Sequence, residues 1–257
     1  MGGIDSTIKF KYFVIIILNM TEGWSSKEFT IKLTELRDTN HLKTHPYFDL
    51  WSQGKLSKKD MAQYVLQHRL WSSQVVNLWG IVVAKSNENT VQNFFLENMA
   101  EEHGIISEGG RTSTPHVEMQ IEFARACGMS EKQIEETEPT AGCLAMISYH
   151  WYVALAKTWQ EYVAASVVAN ESMEVGIMGR IVPALHSHYG YKEGDMKIEF
   201  FEEHYLADQE HGERGISALV DNTQELNIQQ NCVQAAREAI KIGKLFLDEL
   251  YQKVIKN

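Results

Sequence analysis

The segment His204-Tyr205-Leu206-Ala207-Asp208-Gln209-Glu210-His211 holds the residues best suited to chemistry. An α-helix turns about 100° per residue, so positions i, i+4 and i+7 fall within about 60° of one another. His204, Asp208 and His211 would therefore line one helix face on successive turns. Two imidazoles and a carboxylate on one face suit a bound iron, manganese or zinc ion, and the lack of thiolates favours iron or manganese over a structural zinc. A hydrated polar stripe has the same composition, so the short motif does not decide by itself. In a helix bundle, metal ligands converge from facing helices. Other helices should then carry carboxylates or imidazoles at inward positions. Glu171 is one candidate, because it interrupts the small and apolar run from Ala164 to Met173, where an unpaired carboxylate is costly to bury. The run Glu97-Asn98-Met99-Ala100-Glu101-Glu102-His103-Gly104, followed by Pro115-His116, is another. An acidic run of that kind is more often a solvated face.

The elements that must position these residues are helical. Ser25-Ser26 and the pair Ser57/Asp60 are N-terminal capping signals, the second opening a long apolar-periodic stretch from Met61 to Trp79. Helices are also expected over Val91 to His103, from His116 to a stop at Gly128, over Ala141 to Lys157, as one long element over Trp159 to His188, over Met196 to Val220 and over Thr223 to Val254. His45-Pro46 and the residues after it read as a loop. With only 4 Pro and few turn dipeptides, an all-β sandwich is excluded. The fold class is all-α, with one helical bundle domain over residues 25–257.

Residues 1–24 are expected to be a leader outside the core. Lys9 and Lys11 precede the apolar run Phe13–Leu18, which is too short to span a bilayer and has no small-residue cleavage site after it. The net charge of -10 argues against nucleic acid as a partner. Three cysteines without CxxC spacing exclude a disulfide framework and point to a reducing, cytoplasmic setting. No membrane association is expected, and the apolar final helix (Ile240, Ile242, Leu245, Phe246, Leu247, Leu250) suits docking to a second copy as a homodimer.

Four features lie in the order found in the haem-oxygenase-like diiron oxidases and oxygenases. They are a Glu-Glu-x-Gly stretch, a His opening the next helix, a Glu in a small-residue helix, and His-x-x-x-Asp-x-x-His. The segments His45–Leu56 and Phe200–His204 also look like that family, so the resemblance spans roughly Leu42 to Arg214. It implies a haem-oxygenase-like bundle of about seven core helices. It further implies a ligand set of Glu101, His116, Glu171, His204, Asp208 and His211, acting in catalysis through two Fe(II) ions, with Mn as an alternative metal and dioxygen as co-substrate. Glu102 or Glu97 are alternatives to Glu101, since the loop before His116 is longer than the family pattern. The family also contains a para-aminobenzoate synthase that consumes its own tyrosine. The position of that tyrosine is held here by Phe48, next to Tyr47, and the position of its lysine by Ile181, next to Arg180.

The expected function is a diiron oxygenase or oxidase that oxidises or cleaves a small substrate, an amino acid by preference. It would serve biosynthesis of a specialised metabolite, with nitrile formation among the outcomes. Tyr47, Phe48, His68, Arg69 and Trp71 are the candidate substrate residues, Arg69 as partner of a substrate carboxylate. Ordinary core filling is the commoner fate of such aromatics. The alternative is a metal-free oxidase or thiaminase-like hydrolase on the same fold. The middle helix offers no cysteine for the latter.

Overall fold

The computed structural model describes residues 23–105 and 114–256, apart from the side chains of 206–211. Among these residues the regular structure is helical throughout. Helix α1 (Ser26–Thr39) leads through a 3-10 turn (Leu42–Thr44) into α2 (Pro46–Ser52), α3 (Lys58–Lys85), α4 (Asn89–Glu102), α5 (His116–Ala126), α6 (Glu131–Glu135) and α7 (Ala141–Ala156). Then follow α8 (Trp159–Val163), a π-helical segment (Ala164–Glu171), α9 (Ser172–His188), a second 3-10 turn (Met196–Ile198), α10 (Glu199–Asp221) and α11 (Leu226–Lys256).

Local chemistry sets most of the boundaries. Ser25/Glu28, Ser57/Asp60, Ser130/Gln133 and Thr158/Glu161 each form a reciprocal capping box at the start of α1, α3, α6 and α8. Gly128 ends α5 with φ +92°, a conformation that costs a side-chain-bearing residue strain. Two elements differ from the sequence-based expectation. The stretch after His45, expected as a loop, is α2. Pro46 occupies a first-turn position, where its missing N–H costs nothing, and the His45 side chain accepts from Tyr47 N. The long element expected over Trp159 to His188 is interrupted by the π segment, whose eight residues end at Glu171.

The core is one cluster that includes Phe29, Trp51, Met61, Trp79, Phe95, Phe123, Tyr162 and Phe201. Helix α11 packs along α7, α8 and the π segment, α3 against α4, α5 and α7, and α10 against α9, the π segment and α4. Buried Gln229 fastens α11 to the chain ahead of α1. Its Oε1 accepts from Trp24 N at 2.7 Å, while its Nε2 donates to Trp24 O and Thr223 O at 2.9 Å each. The expected leader falls almost wholly on residues 1–22, outside the described residues. The apolar stripe of the final helix is turned inward, with Ile240, Phe246, Leu247 and Leu250 buried in the chain's own core and Leu245 exposed. Among the described residues no helix is long and apolar enough to cross a membrane.

Candidate metal centre

Five elements bring their polar residues to one place. The last turn of α4 supplies Glu101 and Glu102, the first residue of α5 supplies His116, the end of the π segment supplies Glu171, the first turn of α9 supplies Glu174, and α10 supplies His204. Ligand atoms of Glu102, His116 and His204 lie within 4.8 Å of one another. The His116 and His204 rings sit 4.6 Å apart between centroids, and Phe200 packs on His204 at 4.3 Å.

Hydrogen bonding fixes the state of His204. Its Nδ1 lies 2.7 Å from the Phe200 carbonyl oxygen, which can only accept, so Nδ1 carries the proton and Nε2 keeps a lone pair. Burial, aided by the neighbouring His116, pushes the His204 pKa down to about 4 and keeps the ring neutral. A neutral imidazole oriented by a backbone carbonyl is how protein metal ligands are commonly held. His116 is the opposite case. Burial would depress it, but the carboxylates of Glu102, Glu203 and Glu171 outweigh burial and lift it to about 9. Its Nδ1 stands 3.0 Å from Glu102 Oε1 as an ion pair, without the alignment of a hydrogen bond. Its Nε2 is 3.7 Å from Glu203 Oε2. Burial raises the Glu102 carboxyl, yet His116 pulls it below the ordinary carboxylate range.

Glu171 is ringed by protein while still bordering open space. Burial, then repulsion from Glu102 and Glu174, lifts its carboxyl to about 8, against the pull of His116. The geometry therefore places Glu102, rather than Glu101, against His116. Glu101 acts on Glu171 through its charge. Glu97, the other alternative, is paired with Arg214 at a half-exposed site. The Asp208 and His211 side chains lie outside the described residues, although their backbone continues α10.

The donor chemistry fits a transition-metal ion. Two imidazoles and a carboxylate converge, one imidazole nitrogen carries a lone pair, and a neighbouring acid is driven to hold a proton in the absence of a cation.

Beside this cluster lies a cavity of about 40 Å³, walled by α2, α3, α7, the π segment, α9 and α11. Of the expected substrate residues, Phe48, His68 and Trp71 line it. Tyr47 does not. It is fully buried, and its hydroxyl donates to Asp60 O. Arg69 does not either, since its guanidinium donates to Ile134 O at 3.1 Å. Sequence reasoning missed Glu174 and Asn170, both in the cavity wall. Glu174 follows Glu171 by three residues, and that spacing puts the two on one helix face.

A family model described as iron-containing redox enzyme matches residues 62–244. The chain belongs to this family. Among curated relatives of this iron-containing redox enzyme chain is the 4-aminobenzoate synthase of Chlamydia muridarum, 22% identical over 88% of this chain and 92% of the relative. Another is the 4-aminobenzoate synthase of Nitrosomonas europaea, 21% identical over 91% and 95%. Solved structures of the same fold include a TenA homologue from Pseudomonas syringae pv. tomato, with a TM-score of 0.73 at 15% identity over 88% of this chain and 92% of that one. A protein of unknown function with a haem oxygenase-like fold from Shewanella denitrificans gives 0.71 at 15% identity over 88% and 92%. A CADD-like protein of unknown function from Nostoc punctiforme gives 0.70 at 18% identity over 90% and 98%. The expected all-α, haem-oxygenase-like bundle is therefore the observed fold.

Proposed function

We propose that this chain is a non-haem diiron oxidase or oxygenase that uses dioxygen to oxidise or cleave a small substrate, an amino acid being the class read from the sequence and nitrile formation one outcome. The observation that carries the reading is the half-buried cluster of Glu102, His116 and His204, with the His204 Nδ1 proton directed at Phe200 O and the lone pair on Nε2. Glu102, His116 and His204 would hold iron, with Glu171, Asp208 and His211 completing a two-ion set. When bound, ferrous ions supply the electrons that reduce dioxygen. The protein's own share is to orient His204 through Phe200 O and to pack the Phe200 ring against both imidazoles. Glu171 and His116 hold protons near neutral pH until a cation displaces them. Metal uptake should therefore release protons, and affinity should rise with pH up to about 8 to 9.

The test is anaerobic loading with ferrous iron, iron counting, and measurement of dioxygen uptake by loaded wild type and His204→Ala. Near two irons per chain and iron-dependent dioxygen uptake, both lowered in the variant, are expected. Absence of iron uptake by wild type discards the proposal. Two observations weigh against the hydrolase alternative. Cys127 and Cys143 are buried thiols that burial pushes up to about 11, and no cysteine is among the described cavity residues. The 4-aminobenzoate synthase relatives suggest a second product. With Phe48 at the position the resemblance assigns to the consumed tyrosine, wild type incubated with iron, dioxygen and reductant is expected to release no 4-aminobenzoate by mass spectrometry.

A further inference from the structure

The cavity beside the metal centre has an apolar wall, in which Phe48, Trp71, Met146, Met173, Ile177 and Phe246 are typical, yet it contains a carboxyl group. Glu174 Oε1 stands 3.8 Å from His68 Nε2, beyond hydrogen-bond reach, and Glu174 Oε2 is buried with no hydrogen-bond partner among the described residues. A buried acceptor left unsatisfied costs about 1–3 kcal/mol, more when charged. His68 does not complete the carboxyl. Its Nδ1 is 2.8 Å from Gln120 Nε2, and Gln120 in turn accepts from Ser72 Oγ. This chain of contacts holds the ring where it is, short of Glu174. No lysine or arginine is among the described lining residues.

We propose that Glu174 is the recognition residue for a substrate ammonium group, and that the cavity admits an amine-bearing end remote from any carboxylate, in an amino acid a side-chain amine on a slender apolar stem, and turns away a carboxylate end. This deepens the proposed function by naming which end of the substrate the chain grips. It rests on that reading only for the reaction at the other end. An ammonium would give Glu174 Oε2 a charge-assisted hydrogen bond. The volume of about 40 Å³ suits an ammonium head with a short methylene stem, and the thioethers of Met146 and Met173 can shift to lengthen it. A carboxylate end would meet Glu174 without a counter-cation.

The probes are n-butylamine, n-butanol and butyrate, titrated against iron-loaded and iron-free protein by saturation-transfer NMR, with iron counted in every sample. In wild type, butylamine should bind at least about tenfold tighter than butanol, the scale of one hydrogen bond to a charged group, with butyrate weaker still. Glu174→Gln should erase the preference and keep the wild-type iron count, and Glu174→Asp, which keeps the charge, should retain part of the preference. No preference in wild type, or an unchanged preference in Glu174→Gln, overturns the proposal. So does a lower iron count in either variant, which would make Glu174 a metal ligand. If Glu174→Gln does not fold, the Asp variant and the wild-type preference decide. Intact amine preference in a wild type that takes up no iron would instead sink the metal-centre reading and leave this one standing.

Discussion

Glu171 shows how one side chain trades the stability of the empty fold against affinity for a cation. Its carboxyl holds a proton up to about pH 8, where the unfolded chain would release it near 4.5. Between those values the folded state binds more protons than the unfolded state, so metal-free stability falls as pH rises through that window, by at most about 1.4 kcal/mol per unit. Glu171→Gln should remove this slope, raise the metal-free melting temperature at pH 7.5 and lower the iron count, all readable by calorimetry and iron analysis. His150 gives the opposite slope. It is fully buried, and burial holds its pKa down at about 4. The unfolded chain therefore takes up protons first, and stability falls as pH drops from about 6.5 towards 4. Urea unfolding of wild type at pH 4.5 and 7.0 should show the loss, and His150→Phe should show a smaller difference between the two conditions. At this scale the sequence was legible where a residue type was out of place, as with Glu171 in its small-residue run. It was not legible at Glu101 and Glu102. Neighbouring residues on a helix point about 100° apart, and spacing alone does not choose between them when a long loop precedes the partner His116. Glu174 was not legible either, because nothing in its own neighbourhood tells that α3 and α11 wall the cavity it lines.

The helices that carry the site meet through glycines. A Cβ on Gly212 of α10 would lie 2.9 Å from both Cα and Cβ of Ser172, the residue after Glu171. One on Gly142 would lie 2.7 Å from Phe246 Cα, where α7 crosses α11. Backbone atoms cannot yield as a flexible side chain can. Gly212→Ala should push α10 from the Glu171 segment, cost about 1–3 kcal/mol and weaken iron binding together with stability. Gly142→Ala, farther from the ligands, should cost stability while leaving the iron count of the folded fraction unchanged. Thermal melts with iron analysis on both variants check the pair. Capped helices were readable in advance, because Ser57/Asp60 announces α3 in four residues. The π segment was not, since Ala-Ala-Ser-Val-Val-Ala-Asn-Glu contains ordinary helix residues and no code for a wider turn.

Across the molecule, the proposed ligands come from positions 102 to 211, so a cation bound among them ties α4, α5, the π segment and α10 to one another. Ferrous or manganous ion should raise the melting temperature in proportion to the logarithm of free metal, and a chelator should reverse the gain. Scanning calorimetry over a metal titration measures this, and a flat response would count against binding. The bundle itself was legible because helical periodicity and the scarcity of proline leave few other folds open. The inward turn of the final helix was not, because an apolar stripe looks the same whether it docks within its own chain or on a second copy. The wide turns that end at Glu171 also bear on how such a chain can vary by descent. Loss of a single codon within 164–169 would let the backbone tighten into regular α geometry, which takes up the missing residue within the wide turns, whereas loss of one codon in regular α10 would turn every later residue by about 100°. The π segment can thus shorten with Glu171 held near its present face, while α10 cannot change length between His204 and His211 without turning its proposed ligands away from one another.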